Sequence, residues 1–346
     1  MPEQEIVEIK RGEGSMDLHI CWSITNLCNY DCEYCPKTNS DGSQKWLLDK
    51  HAYTLIDKIY EHYVKNLGYK RIQISFTGGE PTLWKPFLDL CKYINKKGMT
   101  VGLTSNGSRK LDYWKELAPL VDWTCFSYHP EFVDDENVFE LVSWMHEQKN
   151  VILPAVRLMM HPDKKLWDKC IQFGDRLREN LDNWIIECVE LQNDFGEGIP
   201  NYEYNKKQQK YLKENGFEQV MNKPELVKLP RDQHYQITVF EDGTEKQLKT
   251  NDLVNKKLVN FFLWECDIGL ESIYIDYFGN IFKAGCKEGG IIGRMQEVEE
   301  IQFSTSPVIC SQTWCPCGTN IMVSKRKKFN TVNEKKISQL ETTSIV

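Results

Sequence analysis

Six short apolar runs, alternating with helical patterns, constrain this chain more than any other feature. The runs are Leu18–Thr25, Arg71–Thr77, Thr100–Ser105, Trp123–His129, Ile152–Met160 and Trp184–Leu191. After the first, Leu48, Leu55, Ile56, Ile59 and Tyr63 follow a 3.6-residue stripe. Pro86 opens a second helix that puts Phe87, Cys91 and Ile94 on one face. Asp112–Leu117, Asn137–Gln148 and Leu166–Asn180 supply three more. Strands alternating with helices lie parallel and are joined by crossovers. Six such units fall short of the eight that close a full barrel. The fold class is therefore α/β, an open, partial barrel.

Composition narrows the setting. The 346 residues are 41% hydrophobic, enough for an ordinary core. A net charge of −7 disfavours broad attraction to nucleic acid, which needs a basic surface. There is no signal peptide and no apolar run near membrane-spanning length, so the expected setting is cytoplasmic and membrane-free. Thirteen cysteines, an odd number, argue against a disulfide framework. In a reducing compartment, clustered thiols are read as metal ligands. Cys21, Cys91, Cys125, Cys170 and Cys188 stand singly in apolar patterns and are read as packing residues.

The segment Asn26-Leu27-Cys28-Asn29-Tyr30-Asp31-Cys32-Glu33-Tyr34-Cys35-Pro36 follows the first run and has the spacing C-x3-C-x2-C. Three thiolates on one loop can hold three corners of a [4Fe–4S] cube, which normally takes four cysteines. The fourth iron is then open to a small molecule. A zinc site would build from C-x2-C pairs and a fourth Cys or His, and the only nearby histidine is His51. Thr77-Gly78-Gly79-Glu80-Pro81 follows the second run, and its glycines allow close backbone approach. Together these motifs resemble the radical S-adenosylmethionine (radical SAM) superfamily, with Tyr34 in the usual aromatic place before the third cysteine. The resemblance implies a (β/α)6 TIM-like partial barrel. It also implies a cluster on Cys28, Cys32 and Cys35, with SAM chelated at the open iron and cleaved to a 5′-deoxyadenosyl radical that abstracts hydrogen. Gly78, Gly79 and Glu80 would receive the SAM amino group, Asn106 its ribose, and Ser127 with Arg157 its carboxylate. A reducing partner such as flavodoxin or ferredoxin is implied too. No catalytic residue is named outright. His129 and Glu190, with Glu187, are candidates because ligands gather at strand C-termini.

The last part of the chain holds Cys266, Cys286, Cys310, Cys315 and Cys317. The first two flank a hairpin pattern turning at Phe278-Gly279-Asn280. This resembles the twitch domain, a shortened relative of the SPASM domain, and implies a second [4Fe–4S] cluster on four of the five, with a structural zinc as the alternative. The expected division is an arm over 1–16, the barrel over 17–200 and a connector over 201–259. The connector carries a polar helix (Asn201–Asn215) and a hairpin at Asp242-Gly243. A twitch-like domain over 260–324 and a frayed tail over 325–346 complete it. The basic run Lys325–Lys328 is read as solvated. The resemblance favours hydrogen abstraction from a small polar, sugar- or cyclitol-like substrate, followed by oxidation. The alternatives are a maturase acting on a peptide or protein and a non-catalytic iron–sulfur electron carrier. The arm is short for a fused leader-binding domain, and an open iron gives a carrier no advantage.

Overall fold

The computed structural model describes residues 5–44, 49–191, 202–226, 228, 236–248, 250–315 and 317–328. The chain enters as β1 (Ile6–Arg11), then runs into β2 (Leu18–Thr25), the first strand of a ten-stranded sheet. β2, β3 (Ile72–Gly78), β4 (Thr100–Ser105), β5 (Trp123–Tyr128), β6 (Ala155–Met160) and β7 (Asn183–Glu190) lie side by side in chain order, all parallel. These are the six anticipated strands.

Period-two alternation explains why they form one curved wall. In β2, Leu18, Ile20, Trp22 and Ile24 pack into the main hydrophobic core, as do Ile72, Ile74 and Phe76 of β3, and Val156, Leu158 and Met160 of β6. The intervening residues face the other way and, Met159 apart, are polar or small. His19 Nε2 lies 2.9 Å from Ser75 Oγ across that inner face. One face thus buries against helices while the other lines an interior.

The helices covering the outer face are α1 (Asp49–Ile59), α2 (Phe87–Lys96), α3 (Leu111–Leu117), α4 (Asp135–Glu147) and α5 (Lys164–Asn180). Leu55, Ile56, Ile59 and Tyr63 are buried as their spacing predicts, the last in a wider helical turn over Tyr60–Asn66; Leu48 lies outside the described residues. Asp134 caps α4 by accepting from Asn137 N at 3.1 Å, and Asp163 caps α5 by accepting from Lys165 N at 2.9 Å. No helix among the described residues is long and apolar enough to cross a membrane.

Beyond β7, α6 (Lys206–Asn215) leads into β8 (Phe217–Met221), which closes that edge antiparallel to β7. A second, six-stranded sheet holds β9 (Gln236–Phe240) and β10 (Glu245–Gln247), which turn at Asp242-Gly243. After α7 (Thr250–Asn255) come β11 (Glu265–Cys266), β12 (Ser272–Ile275), β13 (Asn280–Phe282), β14 (Ile291–Arg294), β15 (Val308–Ile309), α8 (Gly318–Ile321) and β16 (Lys325–Arg326).

Three boundaries differ from the sequence reading. Residues 1–16 are not merely an arm: β1 lies between β9 and β16 in the second sheet, with Ile9 fully buried. The β12–β13–β14 segment does not stand apart, because β12 runs parallel to β2 and extends the barrel sheet. The basic run is not wholly solvated either: Lys325 is 2% exposed and Lys325–Arg326 form β16; the rest of the expected tail, from Phe329 on, lies outside the described residues. In each case the partner strand is remote in sequence, so local pattern gives no sign of it.

Candidate active site

The cysteine loop leaves the C-terminal end of β2. Asn26 is buried and fastens it, donating from Nδ2 to Asp41 Oδ1 at 2.9 Å and Thr38 O at 3.1 Å. Cys28, Cys32 and Cys35 are all free thiols. Cys28 Sγ accepts from Tyr30 N at 3.4 Å and faces Asn106 Nδ2 at 3.8 Å. Burial pushes all three thiols up, Cys32 to about 12, and charge on Cys28 adds to the rise at Cys32 and Cys35. Three free thiols with N–H donors at one of them suit iron bound as thiolate, since metal binding must expel the protons that burial retains.

The Gly78-Gly79 pair meets this loop directly. Gly79 N donates to Thr25 O at 2.7 Å and Glu80 N to Leu27 O at 2.8 Å. A Cβ on Gly78, whose φ is +120°, would sit 2.3 Å from Thr25 O; one on Gly79 would sit 2.2 Å from Leu27 O. The missing side chains therefore let the end of β3 dock against the loop backbone, whereas the sequence reading gave them only a ligand to approach. Glu80 is also more committed than expected. Its Oε1 accepts from Thr82 Oγ1 (2.7 Å), Thr82 N (3.0 Å) and Ser105 Oγ (2.9 Å), and its Oε2 from Asn106 N (2.7 Å). Burial raises its pKa against these donors. Glu80 ties the end of β3 to the end of β4 and thereby aims Asn106 at Cys28.

The aromatic before the third cysteine is held by the strand-end histidine. Tyr34 OH lies 2.6 Å from His129 Nδ1, and the rings stack at 5.8 Å. Burial pushes the His129 pKa down to about 4, so the ring is neutral. Ser127, Arg157 and Glu187 are in-register neighbours on β5, β6 and β7. Arg157 Nε donates to Glu187 Oε2 at 2.8 Å in a half-buried ion pair. Glu190 is exposed at the end of β7 and does not join this row. Of the five single cysteines, Cys91, Cys170 and Cys188 pack in the core, but Cys21 and Cys125 lie on the inner strand face with His19 and Ser127. Sequence reasoning missed three partners here: His161, 2.6 Å from Glu33 in the cysteine loop; Glu131, whose Oε1 accepts from Glu33 N at 3.4 Å; and Tyr274, 3.3 Å from Ser23.

Residues 22–186, from the middle of β2 into β7, match the model of the radical SAM superfamily. They form a radical SAM domain. It is the domain of an enzyme superfamily, and curated relatives carry enzyme names. A GTP 3′,8-cyclase of Staphylococcus epidermidis is 26% identical over 252 residues, covering 68% of this chain and 66% of that protein. An S-adenosylmethionine-dependent nucleotide dehydratase of Lacinutrix mariniflava is 32% identical over 111 residues, 32% of this chain and 22% of that one. The chain thus spans just under two thirds of the first relative's length and far less of the second's. Among solved structures, anSMEcpe with bound AdoMet has a TM-score of 0.51 at 12% identity, covering 83% of this chain and 78% of that one, a likeness of fold.

Outside the radical SAM domain, the second cysteine set converges on a small cavity. Cys266, Cys286, Cys310 and Cys315 line it together with Lys325 and Asn320; Cys317 does not line it and is exposed. Burial raises the thiols of Cys266, Cys286 and Cys310, while the backbone two residues on, at Ile268, Glu288 and Gln312, acts in the opposite direction. Among the described residues no three His, Cys, Asp or Glu side chains converge closely enough to share a single metal ion.

Proposed function

We propose that this chain is a radical SAM enzyme that binds a [4Fe–4S] cluster through Cys28, Cys32 and Cys35 and SAM at its open iron. The carrying observation is the docking of Gly78-Gly79 onto the loop of three free thiols, with Asn106 facing Cys28. Bound and reduced, the cluster would supply the electron for reductive cleavage of SAM. The protein's part is positional. Backbone around Gly79 presents polar groups beside the cluster, Asn106 faces the ribose, and Ser127 with Arg157 receives the carboxylate. The Arg157–Glu187 pair uses Nε, which leaves the terminal nitrogens of the guanidinium out of that contact. Tyr34, braced by neutral His129, shields the site from water.

The inner strand face carries His19, Ser23, Ser75, Ser127, Arg157, Glu187 and Tyr274. Such a lining supports a small, hydroxyl-rich substrate of the sugar or cyclitol kind, from which the radical takes hydrogen. A nucleotide is the second reading, favoured by the names of the curated relatives. For the second cysteine set we infer a further [4Fe–4S] cluster on Cys266, Cys286, Cys310 and Cys315, with Cys317 left out. Their common cavity supports it, and a cube would space its ligands more widely than zinc does.

Anaerobic reconstitution should load about eight irons per chain, from two four-iron cubes. Replacing Cys28, Cys32 and Cys35 together by Ala should leave about four and abolish 5′-deoxyadenosine formation from SAM. Continued production by that variant would refute the assignment.

A further inference from the structure

Lys325 is an unusual residue to bury. Its ammonium donates to three backbone carbonyls around the end of α8: Asn320 O at 2.8 Å, Ile321 O at 2.9 Å and Val323 O at 2.6 Å. It also lies 4.8 Å from the centroid of the Phe261 ring. Among the described residues no carboxylate pairs with it. A buried cation without a counter-charge is costly. Lys325 lines the cavity of Cys266, Cys286, Cys310 and Cys315, in which the carboxylate of Glu288 is engaged by Ser311 and Gln312 rather than by Lys325. Asn320 lines the same cavity, is 4% exposed, and its Nδ2 donor has no partner. A buried cation and an orphaned donor both call for an anionic, hydrogen-bond-accepting occupant.

We propose that Lys325 is the fixed counter-cation of the second cluster and that, with Asn320, it raises that cluster's reduction potential. The proposal rests on reading Cys266, Cys286, Cys310 and Cys315 as iron–sulfur ligands. Four thiolates give a cube a net negative charge that grows on reduction. A cation held at a set position, in a site shielded from water, favours the reduced state, and so does an N–H donor to sulfur. Lys325 does this without moving, because its three protons are already engaged.

The test is an EPR-monitored redox titration of the anaerobically loaded full chain. The second-cluster wave is identified as the one that persists when Cys28, Cys32 and Cys35 are replaced by Ala. Lys325→Met should lower its midpoint by about 60 mV, a tenfold fall in the equilibrium constant for one-electron reduction. Lys325→Arg should leave it in place, and Asn320→Leu should shift it in the same direction as the methionine variant. Where Lys325→Met loads too little iron to titrate, Lys325→Gln, which keeps a donor to the carbonyls, carries the same comparison. A second-cluster potential indifferent to the charge at 325 would overturn this proposal alone. Absence of any reducible iron–sulfur signal from the triple-alanine chain would instead overturn the cluster reading beneath it.

Discussion

A single methyl group can test the join between the cysteine loop and β3. In Gly79→Ala the new carbon would meet Leu27 O, a backbone atom with no rotamer to escape into. The loop carrying Cys28 must then shift. The expected outcome is loss of the first cluster, leaving about four irons by chemical analysis, with 5′-deoxyadenosine production gone. His129 offers a test of burial. Its folded pKa of about 4 lies below the ordinary 6.5, so between these values the unfolded chain binds more protons than the folded one. Stability should therefore fall as pH drops from about 6.5 to about 4 and then stop responding to this group. Urea denaturation across that range should show a flatter slope for His129→Gln; an unchanged slope would mean that the ring is solvated.

At the level of strands and helices, the row across β5, β6 and β7 concentrates the cofactor question on Arg157. Arg157→Ala should weaken SAM binding by roughly 30-fold, the equivalent of about 2 kcal/mol, with iron loading unchanged. Arg157→Lys should recover only part of this, since lysine lacks the planar fork. Equilibrium dialysis with SAM measures both; unaltered affinity alongside lost substrate binding would move Arg157 to the substrate side. The neighbouring strands show where sequence was readable. Strands β2, β3 and β4 alternate large apolar residues with small or polar ones, and that local period identifies both the strand and its two faces. The three clustered cysteines and the glycine pair were equally plain. What Glu80 does was hidden, because its partners Ser105 and Asn106 lie on the next strand and only register brings them to it. That Glu187 is the anionic partner of Arg157 was hidden for the same reason. Strands as short as β16, two residues of a basic run, have no period to read.

The whole molecule binds its two cysteine sites through long-range strand pairing. β1 lies between β9 and β16, and β16 carries Lys325 beside the second cavity. Deleting residues 1–12 should loosen that sheet and release the second cluster while sparing the first, leaving about four irons that still cleave SAM. Equal loss from both sites would show that the two sheets fold as one unit. The parallel pairing of β12 with β2 bears on how the protein is made. Ser272–Ile275 emerge from the ribosome long after Leu18–Thr25, so until then the strand that leads into Cys28 has one bare edge. Contacts this distant in sequence also form slowly. The nascent chain is therefore most vulnerable to wrong pairing at the strand feeding its first metal site, and iron delivered before synthesis ends meets a loop whose supporting sheet is unfinished.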